Sequence, residues 1–188
     1  MNYLVIYIIY LISVSSMSAQ SIVPSISWWF AQTPHQRGSF FVGEEDCYIF
    51  DVHGRQYSEY MTDESAAMAT FYIVNHRDKL TNSDILDVFR TVFKNERHSK
   101  GGRDGEIYPE SHGIFDGDYW NSLSDDDMAI YFVKGYLACQ KKYRGMVSAY
   151  TPDQLVVMIN KLVLRAGNAA DKLKIGTIID KTLVRARK

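Results

Sequence analysis

The pattern Phe-x-x-Gly-x-x-x-Cys occurs twice in the chain, as "FFVGEEDC" with Phe40, Gly43 and Cys47, and as "FVKGYLAC" with Phe132, Gly135 and Cys139. Each position lies 92 residues from its twin. Glycine inside a helix weakens it by roughly 1 kcal/mol relative to alanine, so a glycine kept at the same place in two copies points to a packing use. Residues at i, i+3 and i+7 share one helix face. On that face a missing side chain admits a second backbone, and a cysteine one turn further on reaches its counterpart. The pattern therefore predicts that the helices bearing Phe40, Gly43 and Phe132, Gly135 cross at a pseudo-two-fold axis, stapled by Cys47 to Cys139. A closure of this length contributes about 4–5 kcal/mol in the loop-entropy treatment. Spacing alone also admits an arrangement in which each glycine packs within its own half and the thiols stay apart.

The flanks extend the match. A tryptophan and a helix start precede each copy, Trp29 with Thr33 and Trp120 with Ser124. Thr33-Pro34-His35-Gln36 is a capping box with proline at the first helical position, and Thr151-Pro152-Asp153-Gln154 is another. Ser124 is followed by three aspartates suited to a helix N-terminus. Thr62-Asp63-Glu64-Ser65 marks a further start, and Ile85, Phe89, Val92 and Ile175, Ile179, Leu183 recur at helical spacing. Helices are expected over 34–52, 63–77 and 83–95, then 125–142, 152–165 and 170–186, with no period-two strand. The fold class is all-α, with two tandem three-helix repeats packed about a pseudo-two-fold axis. Residues 20–96 form repeat 1, 97–113 a polar, glycine-rich linker, and 114–188 repeat 2, the two repeats together making one domain.

Residues 1–19 read as a signal peptide. Leu4 to Val14 is an unbroken apolar run, too short to span a bilayer comfortably, followed by small residues that suit cleavage near Ser18 or Ala19. No basic residue precedes the run, and an uncleaved anchor or a buried helix is the rival reading. Export, to a periplasm or the outside, leaves no stable membrane span after cleavage, and two cysteines in an oxidising compartment favour a bridge over two free thiols. With 21 basic and 22 acidic side chains and a net charge of -1, the chain has no electrostatic footprint for nucleic acid or an anionic membrane.

Candidate surface groups are few. Trp29 and Trp120, placed alike, read as core staples, which leaves Trp28 with the better claim to exposure. Glu44, Glu45 and Asp46 read as a solvated helix surface open to a partner, since three successive residues do not share a face. His112, Asp116 and Asp118 have the alternation of a calcium loop but lack the full twelve-residue pattern, and helix-capping acids explain them without a metal. Tyr108 stands in the linker, where recognition is commonly carried. The five histidines lack metal spacing, and there is no nucleophile elbow, phosphate loop or dinucleotide turn, so neither metal nor cofactor is expected.

The order "GYLACQ", "TPDQLVVMINKLV" and "AADKLKIGTIIDKTLV", carried by Gly135, Tyr136, Cys139, Thr151, Gln154 and Leu155, resembles the helical domain of periplasmic amidase-immunity proteins of the Rap/Tai type, associated with type VI secretion. The likeness covers about the last 50 residues. Members commonly carry another cysteine late in the domain, and none follows Cys139 here. It implies a small exported protein that binds and blocks a cell-wall-degrading enzyme. The expectation is an exported helical binding protein, possible partner contacts being Trp28, Glu44, Glu45, Tyr108, His112, Asp116 and Asp118 and the partner another exported protein. The alternatives are a hydrolase of envelope polymers using Glu44, Glu45, Asp116 or Asp118, two of them in one concave pocket, and a structural envelope component assembling through its 13 tyrosines. Oligomeric state is left open.

Overall fold

A computed structural model describes residues 23–48, 62–80, 83–99, 115–123 and 126–186. These residues are mainly helical. In chain order they form α1 (Ile26–Phe30), α2 (Pro34–Tyr48), α3 (Thr62–Asn75), α4 (Ile85–Ser99), α5 (Gly117–Ser122), α6 (Asp126–Cys139), β1 (Met146–Ser148), α7 (Pro152–Ala166), α8 (Ile175–Asp180) and β2 (Leu183–Arg185). The segment 1–19 and the linker from residue 100 onward lie outside the described residues. Among the described residues no helix is long and apolar enough to cross a membrane.

Local chemistry explains the main helix starts. Thr33 N–H donates to Gln36 Oε1 at 3.0 Å while Gln36 N–H donates to Thr33 Oγ1 at 3.3 Å. Thr151 and Gln154 repeat the exchange at 2.9 and 3.3 Å, opening α7 with Pro152 in its first turn. Two otherwise unmatched backbone donors are satisfied at each site.

The centre of the molecule is the crossing of α2 and α6. A methyl group on Gly43 would lie 1.9 Å from the Phe132 carbonyl oxygen, and one on Gly135 would lie 1.9 Å from that of Phe40. Neither position admits a side chain, because the obstacle in each case is backbone. Cys47 and Cys139 are joined by a disulfide on the same face, with their Cα atoms 6.2 Å apart.

Two apolar cores flank this crossing. One gathers Trp29, Phe40, Phe41, Ile73, Ile85, Leu86, Phe89 and Phe93, and the other Trp120, Phe132, Val133, Leu155, Ile159, Ile175 and Ile179. The central helices serve both, since Val42 and Cys47 enter the second core and Ala138 the first. Contacts correspond across the two. Trp29 Nε1 donates to Thr70 Oγ1 at 2.9 Å, and Trp120 Nε1 to Asn160 Oδ1 at 2.6 Å. Trp29 meets Phe40 edge-on at 6.4 Å, and Trp120 meets Phe132 likewise at 6.0 Å. Ile85 N–H donates to the Pro24 carbonyl at 3.0 Å, and Ile175 N–H to that of Phe115 at 3.1 Å.

The tail departs from expectation. Instead of one helix over 170–186 there is a 3-10 turn (Gly167–Lys172), the short α8, and strand β2 paired antiparallel with β1, Val147 opposite Val184. Gly167 at φ +52 ends α7, and Gly145 at φ +65 ends a π-helical turn (Gln140–Arg144) that prolongs α6. The Thr182 hydroxyl donates to the Ile179 carbonyl at 2.7 Å and meets Ser148 Oγ at 3.1 Å, which turns the chain from helix into strand. Trp29 and Trp120 also sit within short helices, α1 and α5, that run ahead of α2 and α6.

Candidate functional site

The acids of α2 overturn the solvated-surface expectation. Residues 38–47 are buried throughout, with Glu44 and Asp46 at 0 % exposure and Glu45 at 8 %. The physical reason is that beyond its first turn α2 has no outer face. Its glycine side meets α6, and its other sides contribute to both cores. As folded, Glu44 presents nothing to a partner or a polymer, and Glu45 almost nothing, so both leave the set of contact residues. A signal did exist: Phe40, Phe41 and Val42 are consecutive, so the helix has no one-sided apolar stripe and reads as enclosed.

Around these acids lies a set of polar residues that spacing did not single out. Lys142 Nζ sits 2.5 Å from Asp84 Oδ2 and 2.6 Å from Asp87 Oδ1. The Arg90 guanidinium rests 5.5 Å from the centre of the Tyr143 ring. Along α6 and the turn that prolongs it, Tyr136 OH donates to Asp180 Oδ1 at 2.7 Å and Gln140 Nε2 donates to the same oxygen at 3.0 Å. Gly176 makes room there, since a methyl on it would lie 2.8 Å from Asp46 Oδ2 and 2.9 Å from the Tyr136 ring. Burial holds the Glu44 carboxyl well above the usual carboxylate range, the neighbouring Glu45 charge adds to this, and Lys142 and Arg90 oppose it.

The remaining expected contact residues are scattered. Trp28 is half-buried, not free: its ring lies 5.0 Å from Phe40 and stacks on Tyr131 at 5.9 Å. Asp116 caps α5, its Oδ1 accepting from the N–H groups of Asp118 at 3.1 Å and Tyr119 at 3.0 Å. Asp118 is exposed in the first turn of that helix. Tyr108 and His112 lie outside the described residues. Among the described residues no group of three or more His, Cys, Asp or Glu side chains has the arrangement of a metal site.

An apolar groove on the outer side of α3 was not anticipated. Ala67, Met68, Phe71, Tyr72, Asn75 and His76 line it, with Val92 of α4, around a volume of about 460 Å³. Phe71 is 73 % exposed at its edge, and Val74 is exposed nearby. The polar groups here turn inward along the helix. Asn75 Nδ2 donates to the Phe71 carbonyl at 2.9 Å, and the His76 ring stacks on Tyr72 at 4.2 Å with Nδ1 2.9 Å from the Tyr72 carbonyl. In "FYIV" only Ile73 is buried in the core, so the run is mostly surface. α7 likewise exposes Val157 and Leu164.

Compared with known proteins, the chain matches no family model, no curated protein and no solved structure.

Proposed function

We propose that the protein is an exported helical binding protein that seats an apolar segment of another exported protein in the α3–α4 groove, in an inhibitory or immunity-like role toward an envelope-acting enzyme. The observation that carries it is Phe71, a large apolar side chain standing mostly in solvent beside a groove lined by carbon. Exposed apolar ground of this kind marks association sites, and a groove along a helix suits the apolar face of an amphipathic helix. Export rests on the apolar leader at residues 1–19 and agrees with a bridged cysteine pair and with the lack, among the described residues, of a membrane-spanning helix. The chain is further proposed to be a tandem of two copies of one helical unit, supported by the matched capping boxes, tryptophan hydrogen bonds and glycine contacts. The resemblance of residues 135–188 to Rap/Tai-type immunity proteins favours the inhibitory role by analogy.

The test uses the exported full chain as bait in an envelope extract, beside Phe71→Asp. Wild type is expected to retain one protein in stoichiometric amount, and Phe71→Asp to lose it with unchanged circular dichroism and melting temperature. Equal retention by both, or no retained protein at low salt, overturns the proposal.

A further inference from the structure

Glu44 sits where the fold is tightest. Its amide nitrogen is 2.9 Å from the place a methyl on Gly135 would take, and Cys47 follows one turn later on the same helix. Its side chain is wholly buried, and neither carboxyl oxygen has a hydrogen-bond partner among the described residues. A carboxylate in that position is not stabilised by its surroundings, whereas a neutral carboxylic acid is tolerated. Lys142 and Arg90 offset this only in part, burial outweighing them. Lys142 of the π-helical turn is already held between Asp84 and Asp87, and Arg90 of α4 stands over Tyr143. On α2 itself the Glu45 charge disfavours ionisation further and Asp46 is buried beside it, and from α6 the Tyr136 hydroxyl is engaged with Asp180.

We propose that Glu44 is a proton-operated latch on the α2–α6 crossing: neutral, it keeps the two helices closed over the disulfide; ionised, it drives them open and gives a reductant access to Cys47 and Cys139. Both cysteines are at 0 % exposure, so reduction requires such an opening. The direction with pH follows from proton counting. Burial raises the Glu44 carboxyl in the folded state above its value in the unfolded chain, so between the two the folded state holds more protons. Closure is therefore complete below the unfolded carboxyl range and weakens as pH rises through the folded one, by at most about tenfold in the opening equilibrium per pH unit.

The experiment measures the rate of disulfide reduction in the full oxidised protein by a water-soluble phosphine, which takes oxygen from water as the bridge becomes two thiols. Wild type and Glu44→Gln are compared from pH 5 to pH 8. Their rate ratio cancels the pH dependence of the reagent. It is expected to be near one at pH 5 and to rise at least about tenfold by pH 8, with the glutamine variant the slower. A ratio that does not change with pH overturns the latch. Should Glu44→Gln fail to fold, amide hydrogen exchange of α2 in the wild-type protein, corrected for intrinsic rates, decides the matter. Protection that falls between pH 5 and 8 supports the latch, and constant protection overturns it.

Discussion

Single residues carry unequal weight here, and two glycines show why. Gly135 needs its missing side chain for space, because a methyl there meets the Phe40 carbonyl oxygen at 1.9 Å and backbone on both sides prevents relief. Gly145 has open space around it but takes φ +65, so its need is conformational. Gly135→Ala is expected to lower stability by about 3 kcal/mol, the upper part of the range for overpacking, and Gly145→Ala by about 1 kcal/mol from the left-handed backbone. Urea midpoints at constant slope measure both. Gly135 and its cysteine were legible because the motif repeats. Glu44 was legible only in part: the consecutive Phe40, Phe41 and Val42 hint at enclosure, but which faces are covered depends on what the rest of the chain brings to the helix.

At the level of elements, sequence served where a start signal coincided with a long apolar period. Thr33 and Thr151 open α2 and α7 with the reciprocal bonds their capping boxes imply, and the spans of α3, α4 and α6 lie near those expected. Thr151→Ala removes the side-chain acceptor of the Gln154 N–H, and a loss of about 1 kcal/mol is expected from thermal or urea unfolding. Short pieces escaped. α1 and α5 span barely a turn or more around a tryptophan, and β1 and β2 hold three residues each, too few for either period to declare itself. The groove was hidden for another reason: Phe71, Tyr72, Ile73 and Val74 follow one another, and nothing in such a run says which of them faces water.

For the molecule as a whole, the decisive feature is that its two cores share one crossing and one covalent link between residues 92 apart. The double variant Cys47→Ser, Cys139→Ser keeps the glycine contacts but frees the unfolded chain, and a stability loss of about 4–5 kcal/mol is expected by chemical denaturation against the oxidised wild type. The sulfur bridge also makes peptide continuity redundant over the intervening stretch. A protease nick anywhere within 97–113 leaves amino-terminal and carboxy-terminal fragments tethered as one particle, migrating together until a thiol reagent parts them.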